Sequence, residues 1–150
     1  DRSLGVHDGG YFMGSGLAVY SKYPIVDHDF MNFAGYCDGD DCNADKGVVY
    51  AKIITTNGKV VHIFGTHTNA KVSNHGWRRK QYEVIRKFIT QKNVPLTELV
   101  LIGGDLNEDK LNTRDKYDTM LSDLGASEFK FTGNQISSYD PETNNKAKGY

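Results

Sequence analysis

Hydrophobic and polar residues follow two different periods along the chain, and the change of period separates predicted strands from predicted helices. In GVVYAKIITTNGKVVHIFGTHT, residues 47–68, two apolar runs flank Asn57-Gly58, the strongest short signal for a β-hairpin. The segment SGLAVYSKYPIVD, residues 15–27, predicts an earlier strand that ends before Pro24. The first half of the chain therefore predicts a strand followed by a hairpin.

The spacing of apolar residues becomes helical from Trp77 to about Lys92, which predicts an amphipathic helix. The segment NVPL ends this helix, and ELVLIGGDLN, residues 98–107, follows as an apolar strand of the kind that is buried on both faces. The predicted inner face of the helix contains Gln81, Val84, Ile85, Phe88 and Ile89, and its outer face contains Arg78, Arg79, Lys80, Glu83, Arg86 and Lys87.

A second helix is indicated by apolar residues at Tyr117, Met120, Leu121 and Leu124, and Gly125 closes it. The order of elements is then strand, hairpin, helix, buried strand, helix and strand. This order predicts a layered α/β protein whose helices pack outside a sheet.

Composition narrows the class of protein without identifying its function. The 150 residues correspond to one domain, with 38% hydrophobic and 25% charged residues. No apolar run reaches the roughly 20 residues that a membrane-spanning helix needs, and no signal peptide is visible at the start. Because the chain begins at Asp1 without Met, we expect a mature product or an excised piece. A net charge of −1 argues against a broad electrostatic grip on nucleic acid.

Polar side chains follow two of the predicted strands at the point where each strand ends. Asp105 and Asn107 alternate on extended backbone, so both side chains can point into a cleft, although an Asx turn is the simpler explanation. His67 lies between two threonines, with Asn69 one alternation further on. A histidine in that position can donate a proton or a hydrogen bond to a phosphoryl oxygen, although most single histidines are structural.

The loop GYCDGDDCNADKG, residues 35–47, contains both cysteines of the chain and a lysine flanked by Asp and Gly. Cys37 and Cys42 lack the spacing and partners of a zinc site, and the acidic run lacks the distal glutamate of a calcium loop. They can form a small disulfide in an oxidising compartment, or remain two cytosolic thiols. We favour the disulfide because adjacent exposed thiols are reactive. Lys46 can serve as a point charge for phosphate, or be part of a solvated loop.

Taken together, GTHTNA at residues 65–70 and GGDLN at 103–107 resemble the endonuclease/exonuclease/phosphatase superfamily. Asp105 lies 38 residues after His67, and RRKQ, residues 78–81, lies between them. Within the superfamily the chain is most similar to the neutral sphingomyelinases of the secreted bacterial C type. The stretches that carry this likeness are GSGLAVYSKYPIV, ADKGVVYAKI, FITQKNVPLTELVLIGGDLN and SYDPETN.

The resemblance implies a four-layer α/β/β/α sandwich of the deoxyribonuclease-I-like kind. It also implies hydrolysis of sphingomyelin to ceramide and phosphocholine with Mg²⁺ as the cofactor. Matched by position, His67, Asp105 and Asn107 become the expected catalytic residues, and Asp105 also becomes a candidate metal ligand. Three more residues are implied near the substrate phosphate: Asp41, Lys46 and Asn69.

By the same resemblance, residues 1–150 form the central part of a single catalytic domain. The family's metal-binding glutamate precedes the matching region, and its SDH histidine follows that region. We therefore expect the 150 residues alone to be inactive.

The resemblance further implies a secreted monomer that acts on sphingomyelin in membrane surfaces and has no nucleic-acid partner. Two alternatives stay open. The first is a non-catalytic membrane- or host-binding protein on the same scaffold. The second is a nuclease or inositol-phosphate phosphatase of the superfamily.

Overall fold

The computed structural model of the chain describes residues 2–4, 13–130 and 132–133. SYDPETN, which contributed to the family resemblance, lies outside these residues. Two short 3₁₀ helices span Gly39–Asn43 and Val72–Asn74. The strands are β1 (Arg2–Leu4), β2 (Ala18–Tyr20), β3 (Ile25–Asn32), β4 (Gly47–Ile54), β5 (Val60–His67) and β6 (Leu99–Asp105), and the helices are α1 (His75–Gln91) and α2 (Arg114–Leu124).

A four-stranded sheet with the order β3-β4-β5-β6 forms the centre of the described structure. Its first three strands are antiparallel neighbours, and β6 is parallel to β5. The predicted hairpin is β4–β5, and Gly58 in its turn has a φ of +76°, a conformation that glycine adopts without strain. The prediction of a strand that ends before Pro24 is confirmed by β2.

The two faces of this sheet are covered by different layers. On one face, Phe64 of β5 packs edge-on against Phe88 of α1, with 5.8 Å between the ring centroids. On the other face, Gly65 lies under Val19 of β2, whose two-stranded sheet with β1 packs across the larger sheet. The described residues therefore build consecutive α, β and β layers, as expected for part of an α/β/β/α sandwich.

The hydrophobic core lies between the four-stranded sheet and the helices. Alternate residues of β4 and β5 point toward α1, whose buried positions recur at helical spacing. In α2, Gly125 ends the helix with a φ of +65°, as predicted. The buried apolar residues of this cluster are Phe33, Val48, Tyr50, Phe64, Tyr82, Ile85, Phe88, Met120 and Leu124.

Two structural predictions need correction. Arg78, predicted on the outer face of α1, is buried. The strand β6, predicted to be buried on both faces, begins with an exposed Leu99 and ends with exposed residues, because within the described chain it pairs with β5 alone. The final predicted strand falls after α2, where residues 126–130 and 132–133 form no strand and the remaining residues lie outside the described part of the chain, so that strand stays a prediction.

Candidate active site at the ends of two parallel strands

His67 and Asp105 are the last residues of β5 and β6, and the parallel register pairs them directly. His67 Nε2 lies 3.9 Å from Asp105 Oδ2, and the His67 side chain is 44% exposed. The next backbone amide, Thr68 N–H, donates to Asp105 O at 2.9 Å. A histidine and a carboxylate that sequence analysis placed on separate strands therefore meet at one open sheet edge, where ligands of α/β folds bind.

Gly104 allows the backbone of β6 to approach β5 closely just before Asp105. Its φ is +127°, and a Cβ built on it would lie 1.9 Å from Thr66 O. Any side chain at this position would push the two strand ends apart. The second glycine of GGDLN is thus a requirement of the strand pairing that brings Asp105 to His67.

Asn107 is fixed by two hydrogen bonds after the end of β6. Its backbone N–H donates to Asp105 Oδ1 at 3.0 Å, which is the Asx turn anticipated from the sequence. Its side-chain Nδ2 donates to Thr68 O at 3.1 Å, and its φ is +50°. The turn uses Asp105 Oδ1, so Oδ2 is the oxygen that lies nearer to His67. The same turn orients the Asn107 amide at this edge of the sheet.

Lys46 and Asp41 form an ion pair behind the end of β5. Lys46 Nζ lies 2.7 Å from Asp41 Oδ1 and donates to Thr68 O at 3.0 Å. Asp41 Oδ2 accepts from the backbone N–H of Ala70 at 2.7 Å. Thr68 O thus accepts hydrogen bonds from both Lys46 and Asn107. This one carbonyl connects the loop at residues 35–47, which carries Lys46, with the GGDLN turn.

The electrostatics of the site follow from this pair. Burial alone would raise the pKa of Asp41, but the hydrogen bond and charge of Lys46 and the Ala70 amide hold it below its usual value. Burial, then the charge of Lys46, lowers the pKa of His67 from its ordinary 6.5, and Asp105 and Asp41 oppose the change only partly. His67 is therefore mainly a neutral imidazole at pH 7, a form that can donate one hydrogen bond and accept another.

A disulfide joins Cys37 and Cys42, whose Cα atoms lie 5.2 Å apart, so the favoured prediction for this loop is confirmed. The loop is attached to the rest of the site by side chains of later elements. Asn69 Oδ1 accepts from the backbone N–H of Asp38 at 3.0 Å, and Gln81 Nε2 donates to Tyr36 O at 2.7 Å. The disulfide loop thus holds Asp41 against β5.

Asn69 is fully buried, and its described contacts are to the protein. Besides its bond to the disulfide loop, its backbone N–H donates to Gln81 Oε1 at 2.8 Å. Its predicted contact with a substrate phosphate stays a prediction. The six predicted site residues lie at one end of the sheet, with His67 and Asp105 exposed in part and Asn69 and Lys46 buried.

Sequence analysis did not identify the network around Glu108. This glutamate, which directly follows GGDLN, accepts from Arg78 Nε at 2.8 Å and from Tyr82 OH at 3.1 Å. His75 Nδ1 also lies 2.7 Å from the same carboxylate. Two signals could have located the pair: Glu108 adjoins the motif, and Arg78 lies three and seven residues before the inner-face positions Gln81 and Ile85.

The described residues do not form a metal site by themselves. Among them, no three His, Cys, Asp or Glu side chains are gathered closely enough to hold an ion. Asp41 is committed to Lys46, which leaves Asp105 as the one predicted carboxylate ligand, whereas Mg²⁺ takes six oxygen ligands, several of them water. The described residues therefore do not make up a complete magnesium site. In this part of the chain, no helix combines the length and apolar character needed to cross a membrane.

Comparison with known proteins gives one consistent result. The model of the Endonuclease/Exonuclease/phosphatase family matches residues 2–147. The chain is 37% identical to Sphingomyelinase C of Bacillus cereus over 99% of its own length and 46% of that protein. It is 36% identical to Phospholipase C of Staphylococcus aureus, covering 99% of this chain and 45% of that protein. This chain therefore spans about half the length of these relatives.

A solved structure gives the same likeness in three dimensions. A mutant of the Staphylococcus aureus beta toxin, crystallised with bound magnesium ions, is 31% identical to this chain with a TM-score of 0.79. The match covers 99% of this chain and 56% of that one. The fold described above thus recurs in a known structure.

Proposed function

This chain belongs to the endonuclease/exonuclease/phosphatase family, and we propose that the whole protein hydrolyses sphingomyelin to ceramide and phosphocholine. The identity to a sphingomyelinase C across nearly the whole chain supports this substrate. The observation that carries the proposal is the pairing of His67 with Asp105 at adjacent ends of parallel strands. Around that pair, Asn107 and Lys46 supply a fixed amide and a buried positive charge.

In this proposal, each residue has a role set by its contacts. His67, neutral at pH 7 because its pKa is lowered, donates a hydrogen bond to an oxygen of the phosphodiester. Asp105 accepts a hydrogen bond from the attacking water and holds it in line with the scissile bond. Lys46, held by Asp41 and Thr68 O, adds positive charge where the phosphorane becomes more negative.

The finer part of the proposal is that Mg²⁺ is the cofactor and that Asp105 supplies one of its ligands. The magnesium ions in the Staphylococcus aureus structure support this choice. When bound, such an ion neutralises charge on the phosphate. Because the described residues gather no group of three ligating side chains, residues 1–150 alone are proposed to be inactive and to need further segments of the domain.

The proposed place of action is a membrane surface outside the cell, with the protein as a monomer. A disulfide between Cys37 and Cys42 supports an oxidising compartment, since such bonds are rare in the cytosol. The similarity to bacterial sphingomyelinases supports a lipid substrate rather than nucleic acid.

The test is release of phosphocholine from sphingomyelin vesicles by the whole protein, with Mg²⁺ and after addition of EDTA. We expect turnover with Mg²⁺, loss of turnover with EDTA, and loss in an Asp105→Asn variant. Asp123→Asn is the matched control, because Asp123 pairs with Arg79 on the helices, outside the site. Cleavage of plasmid DNA or an inositol polyphosphate in place of sphingomyelin would reject the lipid substrate. Vesicle binding without turnover would identify a binding protein.

A further inference from the structure

Arg78 connects the two loops that follow β5 and β6. It lies in the first turn of α1, and only 1% of its side chain is exposed. Its Nη1 donates to Asn69 O at 3.1 Å and Lys71 O at 2.6 Å, both in the loop after His67. Its Nε donates to Glu108, in the loop after β6, at 2.8 Å. One guanidinium thus bridges both segments that carry the candidate catalytic residues.

The carboxylate of Glu108 is buried and hydrogen-bonded as fully as the guanidinium of Arg78. Its side chain is 2% exposed, and Arg78 binds it through two nitrogens, with Nη2 at 3.2 Å from Oε2. His75 and Tyr82 complete its hydrogen bonds. A buried ion pair contributes little net stability compared with apolar packing, because both charges lose water. The Arg78–Glu108 pair is better explained by the relative position of the two loops that it fixes.

The backbone beside the pair adopts conformations that need external support. Lys71 has a φ of +68° and a ψ of 138°, a region that non-glycine residues enter only at a cost. Its carbonyl is the one that accepts the 2.6 Å bond from Arg78. Asn107, next to Glu108, has a φ of +50°. The network therefore lies where each loop departs from ordinary backbone geometry.

The Arg78–Glu108 network is separated from the candidate catalytic residues by only one or two residues of the chain. Glu108 follows Asn107 directly, and Asn69 lies two residues after His67. Ala70, between the two Arg78 acceptors, donates the hydrogen bond that holds Asp41. A change in the Arg78 bridge would therefore shift both halves of the site relative to each other.

We propose that Arg78 and Glu108 are positioning residues, which set the distance between the His67 and Asn107 loops for phosphodiester hydrolysis. The inference rests on the proposed function. Since neither side chain is exposed enough to touch a substrate, both act through the loops that they join.

The chain supplies a matched control one residue further along α1. Arg79 binds Asp123 through two nitrogens, at 2.7 and 3.1 Å, so it repeats the chemistry of the Arg78 pair. However, Arg79 is 52% exposed and joins α1 to α2, outside both site loops. Comparing Arg78→Lys with Arg79→Lys in the whole protein separates positioning from a general effect of losing a guanidinium.

We expect Arg78→Lys to lower kcat about ten- to a hundredfold, because a small displacement of positioned groups has an effect of this size. The KM should change much less, and Arg79→Lys should leave both constants unchanged. In a His67→Ala background, Arg78→Lys should have almost no further effect on kcat, since residues that act as a unit are not additive. Rates are corrected for the folded fraction, and Glu108→Gln repeats the measurement from the other partner.

An equal effect of Arg78→Lys with and without His67, or equal kcat values for the Arg78 and Arg79 variants, would overturn the positioning role. A second readout does not depend on turnover. Hydrogen exchange at the Thr68 and Asn107 amides, which both donate to Asp105, should speed up in Arg78→Lys and not in Arg79→Lys. Unchanged exchange rejects the inference, whereas faster exchange in a protein that cleaves no sphingomyelin rejects the proposed function alone.

Discussion

Two histidines on β5 each face a carboxylate from the neighbouring β6 segment, and their surroundings differ at the two ends of the strand. His62, near the start, is buried, and its Nδ1 lies 2.9 Å from Tyr50 OH while its Nε2 lies 2.6 Å from Glu98 Oε2. His67, at the end, lies 3.9 Å from Asp105 and is half exposed. The first histidine is fully satisfied by the protein, whereas the second keeps hydrogen-bonding capacity for something else.

The difference shows how to distinguish a structural histidine from a functional one on a single strand. A tautomer with a proton on Nε2 lets His62 accept from Tyr50 and donate to Glu98, so all three groups are satisfied. Burial, assisted by nearby acidic residues, raises the pKa of Tyr50 to about 12, so its hydroxyl remains a donor. Among the described residues, His67 has no comparable pair of close partners, although its neighbours shift its pKa.

The largest effect is expected at the solvent-exposed end of β5, where His67 faces Asp105. Asp105→Ala in the whole protein should lower kcat at least about a hundredfold, since an orienting group used mainly in the transition state contributes roughly 3 kcal/mol. The melting temperature should change little because Asp105 is exposed. Steady-state kinetics and a thermal melt on the same sample measure both, and unaltered turnover contradicts the role of the GGDLN turn.

At His62, the buried histidine near the start of β5, we expect a large effect on stability and none on kcat. His62→Ala should lower the free energy of unfolding by about 2–4 kcal/mol, because it leaves a cavity and removes a partner from both Tyr50 and Glu98. The kcat of the folded fraction should stay unchanged. Urea unfolding followed by fluorescence measures the first quantity, with His67→Ala as the control, which should remain within about 0.5 kcal/mol of the wild type. If His62→Ala reduced kcat as His67→Ala does, the distinction between the two histidines would be lost.

A smaller effect is expected from the disulfide in the loop at residues 35–47, which lies beside the His67 end of β5. Replacing Cys37 and Cys42 by serine should lower the free energy of unfolding by about 2 kcal/mol or less, since the closed loop is short. Mass spectrometry of alkylated protein from an oxidising compartment should show no free thiol without reductant. Two alkylated cysteines would remove the main support for an extracellular protein.

The smallest effect concerns pH. The folded-state pKa of His67 is lowered, so the unfolded chain binds more protons below the ordinary value of 6.5. The corresponding stability is present above that pH and decreases as pH falls through the folded-state pKa. Lys46→Met should raise the pKa of His67, since it removes a positive charge and leaves Asp41 uncompensated. Proton NMR of the imidazole measures this, and a downward shift would contradict the electrostatic explanation.

The hairpin, both helices and the GGDLN strand could be predicted because each depends on local spacing and turn residues. The burial of Arg78 could not, because a charged residue becomes internal only when partners from distant segments satisfy it. The exposure of β6 was missed for a related reason, since an apolar run does not reveal which strand lies beside it. Likewise, the family motif located His67, but nothing local to His62 indicated Tyr50 or Glu98 as its partners.

The parallel pairing of β5 and β6 through α1 also has a consequence for the order of folding. His67 and Asp105 are joined by a connection of 38 residues, and the entropic cost of closing a loop rises with its length, so this connection closes at a lower cost than a longer one. The two halves of the histidine–aspartate pair should therefore come into register early, before contacts between more distant segments form. Pulsed hydrogen exchange during refolding of the whole protein should show early protection of the β5 and β6 amides. Late protection of these amides would show that the strand–helix–strand unit needs the rest of the domain as a template.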